Sequence, residues 1–389
     1  MAVVAYLRTR RQLWSAVGLM VGLILVVWDL WIAVTTFIPQ YAVRNDLRLA
    51  YGAALVGIRD GYGRLYDLAA QKTAIESLGE GFNPQPFISL PPLAWLVTPL
   101  LALPFSAALV VWTLLLLAAL GLAWFLLAPP GRLTKAAHLV LWLGLFPVAF
   151  GVMVGQPGPL IAAVVATCWW LIRRDRPVLA GLALSLLVLK PQLALLVPIC
   201  LLISGHAKTF GAWLVASLLI GLVALALLGP DGVARYRDVL AQTQSAAWDI
   251  TRRYSISGPL GLGPFLTATQ ILVVMVTLLA AWRHRHRGPE VPMAAGIVGS
   301  LLFTPYLGFQ DFLMLVIAGW LLLRTPLTTW RVGLLVVGYV LLQLALVVMA
   351  IPILLAEALL LISLLRAPAQ APGDLRGVHG VVGGHVANE

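Results

Sequence analysis

Charge is scarce in this chain. Asp and Glu make up 15 of its 389 residues, and charged residues of both signs only 11%. Soluble domains carry about 25%, so a water-soluble fold is excluded. Cysteine is nearly absent. Cys168 and Cys200 both lie in apolar runs, which rules out a disulfide framework and a Cys-based metal site. There is no P-loop and no dinucleotide glycine fingerprint. No internal repeat is visible, as many transporter folds would have. What is plentiful is apolar: 61% of residues are hydrophobic, and the mean hydropathy is +0.96. The class is a polytopic, all-α membrane protein. The net charge of +11 then reads as topology and contact with anionic lipid, not as nucleic-acid binding. No cofactor and no metal is implied.

The basic residues set the orientation. Arg8–Arg11, Arg132/Lys135, Arg173/Arg174/Arg176, Lys208, Arg283/Arg285/Arg287, Arg324/Arg331 and Arg366/Arg376 hold 16 of the 26 Lys and Arg. Placing all of these segments in the cytoplasm satisfies the positive-inside rule. The spans are then 12–38, 106–128, 136–154, 158–172, 178–190, 191–204, 209–228, 264–282, 291–304, 311–323, 332–350 and 351–365. That gives about twelve crossings with both termini inside. The Arg-flanked first apolar run reads as an uncleaved transmembrane helix. Residues 90–104 are apolar, short and Pro-rich, and fit a re-entrant half-span. Residues 1–366 form the membrane domain, and 367–389 a disordered cytoplasmic tail.

The polar features that topology does not explain then all face outward. They are loop 39–88, the turn Gly155-Gln156-Pro157-Gly158-Pro159, the turn Lys190-Pro191-Gln192, loop 229–263, and the turn from Thr304 to Asp311. Their convergence points to a site opening away from the cytoplasm. Asp46 stands out: it is a rare carboxylate at a membrane exit, beside Asn45 and Arg48. It is a candidate catalyst, or else it caps a helix. Leu47, Tyr51, Ala54 and Ile58 fall at helical spacing and suggest an amphipathic helix lying in the interface. Asp67 is placed to cap a second helix running to about Leu78. In loop 229–263, Arg235, Tyr236, Arg237, Trp248, Asp249 and Tyr254 suggest a helix at headgroup level. Arg252 and Arg253 could pair with a lipid phosphate. Lys190 ends an apolar run and needs a partner or water.

Several motifs now coincide in order. They are Asn45-Asp46-Leu47-Arg48-Leu49-Ala50-Tyr51, Arg64-Leu65-Tyr66-Asp67, Phe82-Asn83-Pro84-Gln85-Pro86, the Pro-rich run 90–104, Gly155-Gln156-Pro157-Gly158-Pro159-Leu160, the run ending Lys190-Pro191-Gln192, and Thr304–Asp311. Together they resemble glycosyltransferase family 87, the polyprenol-phosphate-mannose-type enzymes of the GT-C superfamily, over about residues 40–323. The resemblance implies a transferase that moves a sugar from a polyprenyl-phosphate donor to a lipid or glycan hydroxyl outside the membrane, inverting the anomeric centre. It implies Asp46 as general base. By position, Lys190, Arg252 and Arg253 are the cations for the phosphate. Arg48, Tyr51, Asn83, Gln156, Gln192, Tyr306, Gln310 and Asp311 are expected around the substrates. None of the six His falls on the outer side, so Gln310 and Asp311 stand where the family often has His. A transferase for another prenyl-phosphate sugar, such as arabinose, is the alternative within enzymes. A lipid or solute transporter is the alternative outside them.

Overall fold

A computed structural model describes residues 9–79, 81–82, 85–242, 252–344 and 350–366. Asn83, Glu80, Trp248, Asp249 and the tail 367–389 lie outside the described residues. All regular structure among the described residues is helical. Proline marks many of the starts: it occupies the first turn of the helices Pro91–Val97, Phe146–Met153, Gly158–Arg173, Pro177–Leu184, Val197–Ile203 and Pro264–Arg283. There its missing N–H costs nothing and its fixed φ suits the helix.

Four helical runs are long and apolar enough to cross a membrane: Arg11–Arg59, Phe105–Leu127, Ala207–Gln242 and Pro264–Arg283. A fifth is added if Arg132–Leu143 and Phe146–Met153, bent by 59°, count as one span. The other apolar helices have 10–17 residues. The described residues thus show four or five spans of full length where the charges lead us to expect twelve crossings, and the remaining apolar helices are shorter. The first run is helical over Arg11–Ile32 and continues through wider and then tighter turns to Gln40, ahead of Asp46. Outward-facing side chains such as Met20, Ile24, Leu218 and Leu222 are exposed apolar groups suited to lipid. The first helix docks on the helix after Arg132 by close backbone approach. A Cβ at Gly144 would stand 2.8 Å from Leu25 Cβ and 2.9 Å from Gly22 O, the small-residue packing that lets helices meet inside lipid.

The basic segments gather at one end. Arg11 donates to the Pro130 carbonyl and to Thr134. Arg324 donates to the carbonyls of Leu126, Leu127 and Ala128. Arg173 pairs with Glu290 at 3.6 Å, and Arg331 donates to Ser363 O and Arg366 O. The helix Gly158–Arg173 runs from this end to the turn holding Gln156. It has 16 residues, about 24 Å at 1.5 Å per residue. The helices Glu290–Phe303 and Leu313–Leu323 join the same two ends.

Two local expectations change. The helix Leu47–Arg59 forms, but Leu47, Arg48, Tyr51, Gly52 and Ala54 are all buried and only Ile58 of the expected apolar face is exposed. It is packed into the domain and is not a helix half-sunk in lipid. The helix expected within 229–263 forms, but it follows directly on the span that ends at Leu228. Two helices meet at a kink at Gly229, whose φ is +62, and the second runs from Pro230 to Gln242. A positive φ costs glycine nothing, so Gly229 ends one helix and Pro230 opens the next in a new direction.

Candidate active site

The site is built where the turn Val154–Gln156 meets the start of the Leu47–Arg59 helix. Gly155 has φ +69, and a Cβ there would collide with the Asn45 carboxamide. Only glycine permits both that backbone and that approach. The Asp46 amide donates to Val154 O at 2.8 Å. The buried Trp112 indole donates to Gly155 O at 2.8 Å. The backbones carrying Asp46 and Gln156 are therefore clamped together.

Asp46 occupies the N-cap position of the helix, yet its carboxylate makes no capping bond. Asn45 does that work: its Oδ1 accepts from the Leu47 amide at 2.9 Å. The Asp46 carboxylate instead accepts from Gln156 Nε2 through Oδ2, and from Arg48 through Oδ1 at 3.4 Å. By contrast Asp67 is a true cap, accepting from Ala69 and Ala70 at 3.1 Å. Asp60 pairs with its neighbour Arg59 at 2.9 Å.

A chain of side chains leads on from Asp46. Lys190 Nζ donates to Gln156 Oε1 at 2.9 Å and to Asp311 Oδ1 at 2.5 Å. Asp311 Oδ2 accepts from the Gly308 amide at 3.1 Å. The Lys190 and Asp311 side chains are only 11% and 4% exposed. Burial raises the Asp46 carboxyl above the ordinary carboxylate range; the Gln156 hydrogen bond, then the charges of Arg48 and Lys190, pull it back down.

These groups face a cavity of about 390 Å³, lined by Asp46, Gln156, Lys190, Gln192, Tyr306, Gln310 and Asp311 among others. One wall is apolar, with Leu47, Ala50, Phe87, Ile88, Leu90 and Leu93. Leu90 and Leu93 belong to the entry of the helix Pro91–Val97, the expected half-span, which continues as a 3₁₀ turn to Ala102. The volume suits a small polar ligand with an apolar extension. Among the described residues no group of three or more His, Cys, Asp or Glu side chains converges to hold a metal.

Not every expected residue lines this cavity. Tyr51 is buried elsewhere, donating to Leu103 O at 2.9 Å and meeting Phe105 edge-on. Arg48 sits behind Asp46, donating to Asn45 O at 2.8 Å. Arg252 and Arg253 are not on the wall; their neighbour Tyr254 packs on Phe309 and Phe312 beside the Asp311 turn. Gln85 and Tyr236 line the cavity without being among the expected site residues. Gln85 lies in the Phe82–Pro86 motif, and Arg48 reaches it at 3.5 Å. Tyr236, expected at headgroup level, lines the cavity and stacks on Tyr66 at 4.4 Å. Tyr66 and the buried Gln71 hold the 87–89 wall, through Tyr66 Oη to Ser89 O and the Phe87 amide to Gln71 Oε1.

The sequence profile of glycosyltransferase family 87 matches residues 87–305, which is 219 of the 389 residues. The chain belongs to glycosyltransferase family 87. The match is narrower than the 40–323 suggested by the motifs. It includes Gln156, Lys190, Gln192 and Tyr236, and leaves Asp46, Gln310 and Asp311 to the structure. No curated protein and no solved structure matches the chain. As a family 87 glycosyltransferase with apolar spanning helices, it is a membrane enzyme that transfers a sugar.

Proposed function

We propose that this glycosyltransferase moves mannose from a polyprenyl-phosphate donor to a hydroxyl of a lipid or glycan acceptor at the outer face of the cell membrane, with inversion and with Asp46 as general base. The observation that carries this reading is the Asp46 carboxylate itself. It heads a helix without capping it and turns to a cavity. A sugar hydroxyl is a poor nucleophile, and a carboxylate in reach can take its proton as the new glycosidic bond forms. Burial that raises the Asp46 carboxyl brings it nearer working pH, as suits a base.

The donor fits the two halves of the cavity. Lys190 has three N–H donors and spends two on Gln156 and Asp311, which leaves one for the phosphate leaving group. A preorganised cation there stabilises the charge that develops as the sugar departs. Arg252 and Arg253, which precede Tyr254 beside the Asp311 turn, are the further cations proposed for the phosphate. The apolar wall at Leu90 and Leu93 would carry the prenyl chain. The basic segments collected at the opposite end of the helices support the outward sense.

The test is direct. Purified protein is incubated with radiolabelled polyprenyl-phosphate mannose and total membrane lipid, and the products are separated. Label in a new lipid or glycan product supports the reading. Transfer from a nucleotide sugar, with none from the prenyl donor, overturns it.

A further inference from the structure

We propose that Gln156 decides which oxygen of Asp46 receives the acceptor's proton, and that Lys190 and Asp311 hold Gln156 to that orientation. This rests on Asp46 being the base. The Gln156 amide can face only one way. Lys190 only donates, and a carboxylate only accepts. An amide between them must turn its NH₂ to Asp46 and its carbonyl to Lys190, as it does here. The flipped amide would set NH₂ against ammonium and carbonyl oxygen against carboxylate.

The consequence falls on Asp46. Oδ2 is occupied by Gln156 Nε2. Oδ1 keeps only the loose 3.4 Å contact to Arg48, and 29% of the side chain remains exposed towards the cavity. Oδ1 is therefore the oxygen left for a substrate. The backbone bond from the Asp46 amide to Val154 O fixes the spacing of the two residues. Lys190 is anchored in turn by Asp311, and Asp311 by the Gly308 amide.

In the step, the acceptor hydroxyl oxygen bonds to the anomeric carbon. The carbon–oxygen bond to the phosphate breaks, and the polyprenyl phosphate leaves with the electron pair. The hydroxyl proton goes to Asp46 Oδ1. In this step Gln156 acts through Asp46, as a positioning residue.

The test uses full-length Gln156→Leu and Gln156→Glu with polyprenyl-phosphate mannose and membrane lipid, reading kcat, donor KM and the pH profile of kcat. The expected result is a fall in kcat of about 10²-fold, the scale of a misplaced reacting group, at unchanged donor KM. The acid limb of the profile moves to higher pH, because the lost N–H favoured the carboxylate. Gln156→Glu moves it further in the same direction, since a second negative charge disfavours ionisation of Asp46. Should the Leu variant fail to fold, the isosteric Glu variant carries the test. Wild-type kcat, or an acid limb that stays in place in the variants that fold, overturns the proposal. Asp46→Asn is assayed alongside. If it turns over normally, the base reading has failed; if it is inactive while both Gln156 variants behave as wild type, only the present inference has failed.

Discussion

Replacing Lys190 by Met strands a buried charge, and the size of the effect can be worked out from its surroundings. Lys190 and Asp311 are paired at 2.5 Å with little exposure. Removing one partner of a buried ion pair costs about 3–5 kcal/mol, because the other charge stays desolvated. Asp311 would keep the Gly308 amide, and cavity water can reach its rim, so we expect the lower end, about 3 kcal/mol. Gln156 would also lose its donor. The double variant Lys190→Met/Asp311→Asn removes the stranded charge and should recover most of that loss. The assay is unfolding of the purified protein in one detergent, with wild type, both singles and the double forming a cycle. Donor binding separates from stability. The double variant should bind polyprenyl-phosphate mannose roughly ten- to a hundredfold more weakly, as losing a charge-assisted contact of about 1.5–3 kcal/mol implies. A Lys190→Met protein as stable as wild type, or a double variant no better than the single, would refute the pairing argument. Unchanged donor affinity would move the phosphate contact to Arg252 and Arg253.

Two further outcomes follow from the same geometry. Gly155→Ala puts a Cβ at a positive φ and against Asn45, so it should lose at least about 1–2 kcal/mol and most of the activity, whereas Gly121→Ala, in open space, should do neither; equal behaviour of the two in unfolding and turnover would remove the clamp. A cysteine at Arg174 should react with an impermeant thiol reagent only from the cytoplasmic side and one at Glu76 only from outside; labelling of position 174 from outside would invert the site.

Much of this was readable in the sequence, for identifiable reasons. Asp46 stands out because carboxylates are rare and this one follows a long apolar run. Gln156, Lys190, Gln192, Tyr306, Gln310 and Asp311 emerge because the charge pattern puts their turns on one side. Their pairing does not emerge. Lys190 and Asp311 are 121 residues apart, and no local period encodes such a contact. Lys190 accordingly reads as an unpaired cation awaiting phosphate, while the fold gives it a carboxylate. Gly229-Pro230 does end a helix, but Tyr236 is misplaced because the mix of charges and aromatics after it suggests headgroup level, while the second helix turns this ring to the cavity. Tyr51 shares helical spacing with Leu47, but periodicity says which face is apolar and not what covers it. Gln85 lies in the Phe82–Pro86 motif, where spacing alone does not single it out. The cap alternative for Asp46 needed coordinates, since Asn45 and Asp46 are both good capping residues.

The most direct measurement compares Asp46→Asn with Asp60→Asn in one transfer assay using polyprenyl-phosphate mannose. The Asn side chain keeps the shape of Asp46 and the hydrogen bonding a cap would need, but it cannot take a proton. The account predicts that Asp46→Asn folds, binds donor, and falls in rate by roughly 10²–10⁴-fold, the worth of a positioned general base. Asp60→Asn, which disturbs only the pair with Arg59, should retain wild-type turnover. Normal turnover by Asp46→Asn would contradict the account and make Asp311 the next carboxylate to test.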